Sequence, residues 1–178
     1  MKKFLVILLL VCTAGAVFAK DKKNSASLDL FPLFKGLLAS DPDNDIVFVC
    51  FGLNYERLIA PNFSAVGGLD LYPGKIAKKD GDYFYFGMNA GLRCYPMATF
   101  DKLFIGGSLG FNLQAINGKT KEENNGFAGP TISVTAGYKM LNKAGLFFEP
   151  SMSYILSKSG EDVTPLGWQG GLRVGAAF

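Results

Sequence analysis

The chain has 178 residues, enough for one domain, carries a formal net charge of +3 and contains no histidine. So small a net charge disfavours a dedicated nucleic-acid-binding protein, and the missing histidine removes the general base of serine hydrolases and the imidazole ligands of most zinc sites. We therefore predict a protein that is not an enzyme, with no catalytic residues, no metal, no cofactor and no nucleic-acid partner.

The first 19 residues have the pattern of a bacterial export signal. Lys2 and Lys3 form a short positive region, and residues 4–11 are continuously apolar. Small residues around Ala19 offer a cleavage site after it. The apolar stretch is shorter than the roughly 20 residues that a membrane-spanning helix needs. We expect residues 1–19 to be a signal peptide that is removed.

Residues 20–178 are predicted to form a single β-barrel domain. Lipid attachment at Cys12 is disfavoured, because a small residue should precede the modified cysteine and Val11 is not small. Two cysteines remain after cleavage, Cys50 and Cys94, too few for a disulfide-framed scaffold. We expect them to face opposite sides near opposite ends of the barrel, too far apart to bond.

Alternation of apolar and polar residues with a period of two recurs eight times in this domain. Glycine and aromatic residues are abundant, with 22 Gly, 16 Phe and 7 Tyr, which suits curved sheet better than helix. Soluble strands average five or six residues, whereas membrane-spanning strands need about 9–11. The predicted strands are long: Ser25–Leu37, Ile46–Leu58, Ser64–Gly74, Tyr83–Pro96, Leu103–Ile116, Phe127–Met140, Ala144–Lys158 and Leu166–Phe178.

The connections between the predicted strands alternate in length. Those after strands two, four and six are short, whereas the others are longer or more polar, as at Asn117–Gly126 and Ser159–Thr164. Short periplasmic turns and longer outer loops are typical of outer-membrane barrels. The predicted fold is therefore all-β, an eight-stranded antiparallel up-and-down transmembrane β-barrel with both termini on the periplasmic side.

The two faces of the predicted strands differ in charge. One face carries no charged residue over most of its length and is the predicted lipid-facing surface. The other face carries four acids and four bases, which we expect to pair inside the barrel, because an eight-stranded lumen is only wide enough for side chains to fill it. This predicted lumen ion-pair cluster comprises Asp29, Lys35, Glu56, Asp70, Arg93, Lys139, Glu149 and Arg173.

Three details of the register can be tested. Arg173 is expected to pair, near mid-barrel, with Glu149 or, across the barrel seam, with Asp29. Arg57 has lipid-facing parity, so we place it at the periplasmic rim, where a long side chain can reach water. Proline cannot donate a ladder hydrogen bond, so each proline inside a predicted strand predicts a bulge or a strand end. These prolines are Pro32, Pro130 and Pro150.

The last predicted strand alternates and ends in an aromatic residue. Trp168, Leu172, Val174 and Phe178 share one face of it. This pattern resembles the C-terminal recognition signal of bacterial outer-membrane proteins. The resemblance implies that the barrel-assembly machinery reads these four residues during biogenesis. A soluble lipocalin-like binding barrel is the alternative for the whole chain, and it would turn its apolar face inward.

Across residues 20–178 the pattern resembles the small outer-membrane barrels of the OmpA-barrel, OmpX and OmpW type. The runs at 27–34 and 165–172 are similar to those of a bacterial family known only as outer-membrane barrel proteins. The resemblance implies the outer membrane of a diderm bacterium as location, its lipid as a partner, and no catalytic residues.

Two functions remain open at this point. The first is a structural or surface-interaction protein with a side-chain-filled lumen. The second is an OmpW-like conduit, with a small apolar molecule as ligand, which needs an apolar upper lumen. Inward residues of that kind are predicted at Phe31, Leu33, Phe48 and Cys50.

Overall fold

The computed structural model of the protein describes residues 23–30, 46–48, 51–76, 81–97, 100–117, 125–159 and 162–178. Several predictions fall outside these residues, so the structure does not bear on them. They are the signal peptide at residues 1–19 and the predicted roles of Cys12, Pro32, Lys35 and Cys50. In the described part of the chain, no helix is long and apolar enough to cross a membrane.

Within the described residues, nine β-strands form one antiparallel sheet that closes on itself. They are β1 (Asn24–Asp29), β2 (Ile46–Phe48), β3 (Phe51–Ala60), β4 (Phe63–Ile76), β5 (Gly81–Cys94), β6 (Lys102–Asn117), β7 (Asn125–Leu141), β8 (Leu146–Ser159) and β9 (Asp162–Ala177). β1 pairs with β9 as well as β3, and β4 pairs with β5, which closes the ring. β2 and β3 pair with successive parts of β4 and so share one position. The predicted eight-stranded antiparallel barrel is confirmed.

The second predicted strand corresponds to β2 and β3. Phe48 lies opposite Gly74 and Phe51 lies opposite Leu71, so both segments follow β4 in one register.

The prolines at 130 and 150 both lie inside strands, but the strand pairing around them differs. At Pro130 the pairing of β7 with β8 ends at the next residue, Thr131, but β7 itself continues to Asn125 in unchanged register along β6, so the predicted bulge or strand end is wrong here. At Pro150 the β8 strand continues in unchanged register, and the ladder with β7 is interrupted only between Gly137 and Met140. The predicted bulge or strand end at Pro150 is therefore wrong, because a local gap in hydrogen bonding accommodates the ring.

A bulge does occur at a different place, between β8 and β9. The register shifts at Ile155, which pairs with Gly167, while the next residue of β8 pairs with Pro165. Gly167 has φ of 81°, a left-handed conformation that glycine adopts without a steric penalty. Beyond the bulge the two strands remain paired as far as Ser159 and Asp162. The predicted loop Ser159–Thr164 is therefore mostly strand.

The turn residues 61–62, 95–97, 100–101 and 142–145 lie at one end of the barrel, called here the short-turn end, and the other is the loop end. A small apolar cluster closes the short-turn end. Tyr95, Phe100, Phe104 and Ala177 are buried there, with Leu58 and Leu141 packed against them.

Outside the barrel, the side chains of the predicted lipid-facing parity are mostly large, apolar and exposed. Leu28 departs from this pattern, because it is buried despite its outward parity. The exposed members form an apolar belt around the wall: Phe51, Leu53, Tyr55, Leu69, Leu71, Phe84, Met88, Leu92, Ile105, Leu109, Phe111, Ile132, Val134, Tyr138, Met140, Leu146, Phe148 and Met152.

Candidate functional site

Four strands carry charged side chains into the lumen close to the short-turn end. Glu56, Arg93, Lys139 and Glu149 come from β3, β5, β7 and β8, each within five residues of the end of its strand. Alternation along each strand directs them inward, and all four are at most 5% exposed. The structure thus brings together half of the residues of the predicted lumen cluster, and these four are called the ion-pair plug below.

The ion-pair plug is neutral, and each charge lies next to opposite charges. Arg93 donates from Nη1 to Glu56 Oε2 at 3.0 Å. It also donates from Nη1 and Nη2 to Glu149 Oε2 and Oε1 at 3.0 and 2.9 Å, a two-pronged geometry that is strong and directional. Lys139 forms an ion pair with Glu56, and its Nζ is 3.7 Å from Glu149 Oε2. Two acids and two bases therefore satisfy one another across the lumen.

Neutral hydroxyls complete the hydrogen bonding of the plug. Glu56 Oε1 accepts from Ser64 Oγ at 2.5 Å and from the Tyr95 hydroxyl at 2.6 Å, and Lys139 Nζ donates to Ser25 Oγ at 3.3 Å. Burial raises the pKa of the Tyr95 phenol, and the Glu56 carboxylate raises it further, so Tyr95 remains a neutral donor. Sequence reasoning did not identify these hydroxyl residues, because inward parity was their only signal.

Aromatic rings lie against the cations of the plug. The Arg93 guanidinium is 4.1 Å from the Phe104 ring centroid. Lys139 Nζ is 4.1 Å from the centroid of Phe100 and 4.6 Å from that of Phe147. Cations over aromatic faces are attracted by the ring quadrupole, more strongly when water is excluded. The rings therefore stabilise both buried cations and separate them from the short-turn end.

Arg173 on β9 connects the plug to a second group of charges. Its Nη1 donates to Glu149 Oε1 at 3.3 Å, and its Nε is 3.7 Å from Asp29 Oδ2. Arg173 thus contacts both of the partners considered for it. Glu149 is only the fourth residue of β8, so this contact lies nearer the short-turn end than the predicted mid-barrel position. The difference arises because β8 and β9 extend further towards the loop end than predicted.

Asp70 and Asp29 meet over a glycine. Gly52 is the ladder partner of both residues, on β4 and β1 respectively. A Cβ at Gly52 would lie 2.8 Å from Asp29 Cβ and 2.8 Å from Asp70 Oδ1, so the close approach requires glycine. A second group of charges, made of Asp29, Asp70 and Arg173, thus lies beside the plug, which Arg173 contacts through Glu149.

Above the plug, the described part of the lumen contains small polar side chains. Ser108 and Ser133 share a hydrogen bond of 2.7 Å, as do Thr135 and Ser153. A cavity of about 40 Å³ is lined by Ser108, Thr135 and Arg173, among others. This volume holds roughly three water molecules at about 10–15 Å³ each. Among the side chains that the structure describes, no group of three metal-ligating residues occurs.

The four predicted assembly-signal residues lie along β9 and just after it. Trp168 is 70% exposed on the outer wall, and its ring lies 5.1 Å from that of Tyr154. Leu172 and Val174 are partly exposed. Phe178 exchanges two backbone hydrogen bonds of 2.8 Å with Asn24, next to the β1–β9 seam. Reading of these residues by an assembly machinery remains a prediction.

No protein-family model matches the chain, and no curated protein resembles it significantly in sequence. Similar solved structures include Ail, the attachment invasion locus protein of Yersinia pestis, at 15% identity and a TM-score of 0.48, covering 86% of this chain and 95% of that one. Ail in complex with the heparin analogue sucrose octasulfate gives 15% identity, a TM-score of 0.49, and coverage of 86% and 96%.

The N-terminal β-barrel domain of Pseudomonas aeruginosa OprF is similar at 14% identity and a TM-score of 0.48, covering 88% of this chain and 98% of that one. The strand pairing of the chain itself establishes the architecture. The protein is a small, closed, eight-stranded antiparallel β-barrel with charged side chains inside and apolar side chains outside.

Proposed function

We propose that the protein is a small outer-membrane β-barrel of a diderm bacterium with a closed lumen and a structural or surface-interaction role. The observation that carries this proposal is the inverted polarity of the barrel. The buried side chains include Glu56, Arg93, Lys139 and Glu149, whereas Leu109 and Val134 are 66% and 59% exposed. In a water-soluble protein charged residues are mostly exposed and large aliphatic residues are mostly buried, which is the reverse of this arrangement.

The apolar belt supports a lipid environment. Monomeric soluble proteins rarely expose contiguous apolar patches larger than a few hundred Å². A soluble lipocalin-like barrel would direct these side chains inward, so the belt weighs against that alternative. The strands also have the required length, since β4 to β9 contain 14 to 17 residues and about 9–11 suffice to span. In the described residues the sheet closes through the pairing of β1 with β9, and closure is what a sheet in hydrocarbon requires.

The plug supports a role other than transport. Its ion pairs and the aromatic side chains beneath them fill the lumen at the short-turn end, which we assign to the periplasm. The loop end would then face the outside and make any surface contacts. The residues that an OmpW-like conduit would need, Phe31, Leu33, Phe48 and Cys50, have no described side chains, so we do not propose a conduit.

Cell fractionation combined with gel mobility tests the membrane assignment. The protein should enter the outer-membrane fraction, and unheated samples should migrate differently from heated ones, because a closed barrel stays folded in detergent at room temperature. A protein released with the soluble periplasmic contents would refute the proposal. An outer-membrane protein whose mobility does not change on heating would refute the inserted barrel.

A further inference from the structure

The outer wall of β1, β3, β4, β5 and β6 carries an apolar trough of about 780 Å³. Large side chains such as Leu53, Met88 and Leu109 border it. Gly67 and Ala90 face each other in the β4–β5 ladder and have almost no side chain to fill the surface between them. The trough thus results from two small residues within a belt of large ones.

Two cations lie at the short-turn end of the same wall. Arg57 is the next outward residue after Tyr55 on β3, about 7 Å further along the strand, and it is exposed. Its ladder partner on β1 is Asn24, and the residue before Asn24 is the exposed Lys23. The Tyr55 hydroxyl donates to Asn24 Oδ1 at 2.7 Å, so the polar end of this trough residue points to the same rim.

We propose that this wall binds one anionic phospholipid of the leaflet at the short-turn end. Arg57 and Lys23 bind the phosphate of the headgroup, and one acyl chain lies in the trough. The guanidinium of arginine offers forked donors that match phosphate oxygens. This inference rests on the proposed membrane location, because a phospholipid is available to the wall only in a bilayer.

The charges favour a lipid over a second copy of the chain. In a two-fold symmetric dimer the same patch faces itself, so docking through this wall would bring the Arg57 and Lys23 side chains of both copies together. Like charges at an interface are unfavourable. A phospholipid has the complementary arrangement, with an anionic group at the rim and an apolar chain beside it.

Native mass spectrometry of the reconstituted full-length barrel tests the site. The protein is inserted into bilayers of phosphatidylglycerol and phosphatidylcholine and then extracted in mild detergent, and the phospholipid retained per barrel is counted by headgroup. The wild type should retain about one phosphatidylglycerol. Arg57→Gln should reduce that retention roughly tenfold, because a hydrogen bond to a charged group is lost, whereas Arg57→Lys should restore part of it.

A second pair of variants tests the trough. Ala90→Phe fills it and should also reduce retention, whereas Ala136→Phe adds the same ring to another exposed outward alanine on β7 and should not. Lys158→Gln removes an exposed cation on β8, a strand that does not line the trough, and serves as the control for Arg57. Unheated gel mobility confirms that each variant is inserted before lipid is counted.

The outcomes separate this inference from the proposed function. If Arg57→Gln and Ala90→Phe retain as much phosphatidylglycerol as the wild type, or if the two control variants lose as much, the site does not exist. Retention of a second protein chain on the wild type would refute it in favour of a dimer. If the wild type fails to insert into any bilayer, the proposed function itself fails.

Discussion

Arg93 and Glu149 are joined across the barrel by two hydrogen bonds of 3.0 and 2.9 Å, although β6 and β7 separate their strands in the sheet. The pair therefore connects opposite parts of the wall through the lumen. Arg93 pairs with both Glu56 and Glu149, so its removal leaves the buried plug with one negative charge in excess, at a cost of about 3–5 kcal/mol. We expect Arg93→Met to lower the free energy of unfolding by that amount in a urea titration of the barrel in lipid vesicles.

The matched control is Lys158→Met, at the loop end of β8, where the side chain is exposed. Its effect should remain within about 0.5 kcal/mol, as for most surface substitutions. A double variant, Arg93→Met with Glu149→Met, should be less destabilised than the sum of the single variants, because neither charge then remains. Additive losses would show that the two side chains do not interact energetically.

The barrel and its inward charges could be predicted because a period of two assigns each residue to one face. Glu56 and Lys139 are 83 residues apart, and parity alone predicts that both point inward. Parity does not say at which height two inward residues meet, because the height depends on strand register and strand length. For that reason the Arg173–Glu149 contact was predicted, but its depth was not.

Neutral partners and irregularities could not be predicted from the pattern. Tyr95 follows the last residue of β5 and bends into the lumen, a geometry that depends on the turn after it. The bulge at Gly167 arises because β9 has one extra residue opposite β8. A single extra residue cannot be detected in an alternating pattern that prolines already interrupt. The sequence therefore predicts which charged side chains point inward, but it does not predict where the backbone forms a bulge or how a turn places a side chain.

Gly52 should be intolerant of any side chain. A Cβ there would come within 2.8 Å of Asp29 Cβ and of Asp70 Oδ1, so Gly52→Ala should force the two acids apart. We expect a loss of about 1–3 kcal/mol in unfolding free energy, the range typical of overpacking. Gly107→Ala is the control, since the nearest atom to a Cβ at Gly107 would be the backbone carbonyl oxygen of Ser133 at 3.7 Å, an ordinary contact. Equal effects at both glycines would contradict the close approach over Gly52.

Gly167 should be intolerant for a different reason. No atom lies within 4 Å of a Cβ at this position, so there is room for a methyl group. The backbone, however, has φ of 81°, and a left-handed conformation costs a residue with a Cβ about 1–2 kcal/mol. Gly167→Ala should therefore destabilise the barrel by that amount, and Gly167→Asn by less, since asparagine tolerates this region better. Unfolding titrations that rank alanine above asparagine in stability would contradict the bulge.

The plug should prevent conduction. Glu56, Arg93, Lys139 and Glu149 fill the lumen, and Phe104 is fully buried below them. The cavity above them, about 40 Å³, has room for only a few water molecules. An eight-stranded barrel is just wide enough for such side chains, so no wide water column remains. We expect purified monomer in planar bilayers to show no stable openings of the size that a general porin gives in the same apparatus.

Insertion must be demonstrated in the same bilayers, because a protein that never inserts is also silent. The protein recovered from the membrane should therefore retain its heat-modifiable gel mobility. Heat-denatured protein, added to the same bilayers in an equal amount, should not be recovered from the membrane. Replacing both Phe104 and Tyr95 by alanine removes two rings of the apolar cluster at the short-turn end but leaves the four charges of the plug in place, so this variant should also remain without large openings. Stable, porin-sized openings from the inserted wild-type monomer would show that the lumen is open and that the ion pairs do not close it.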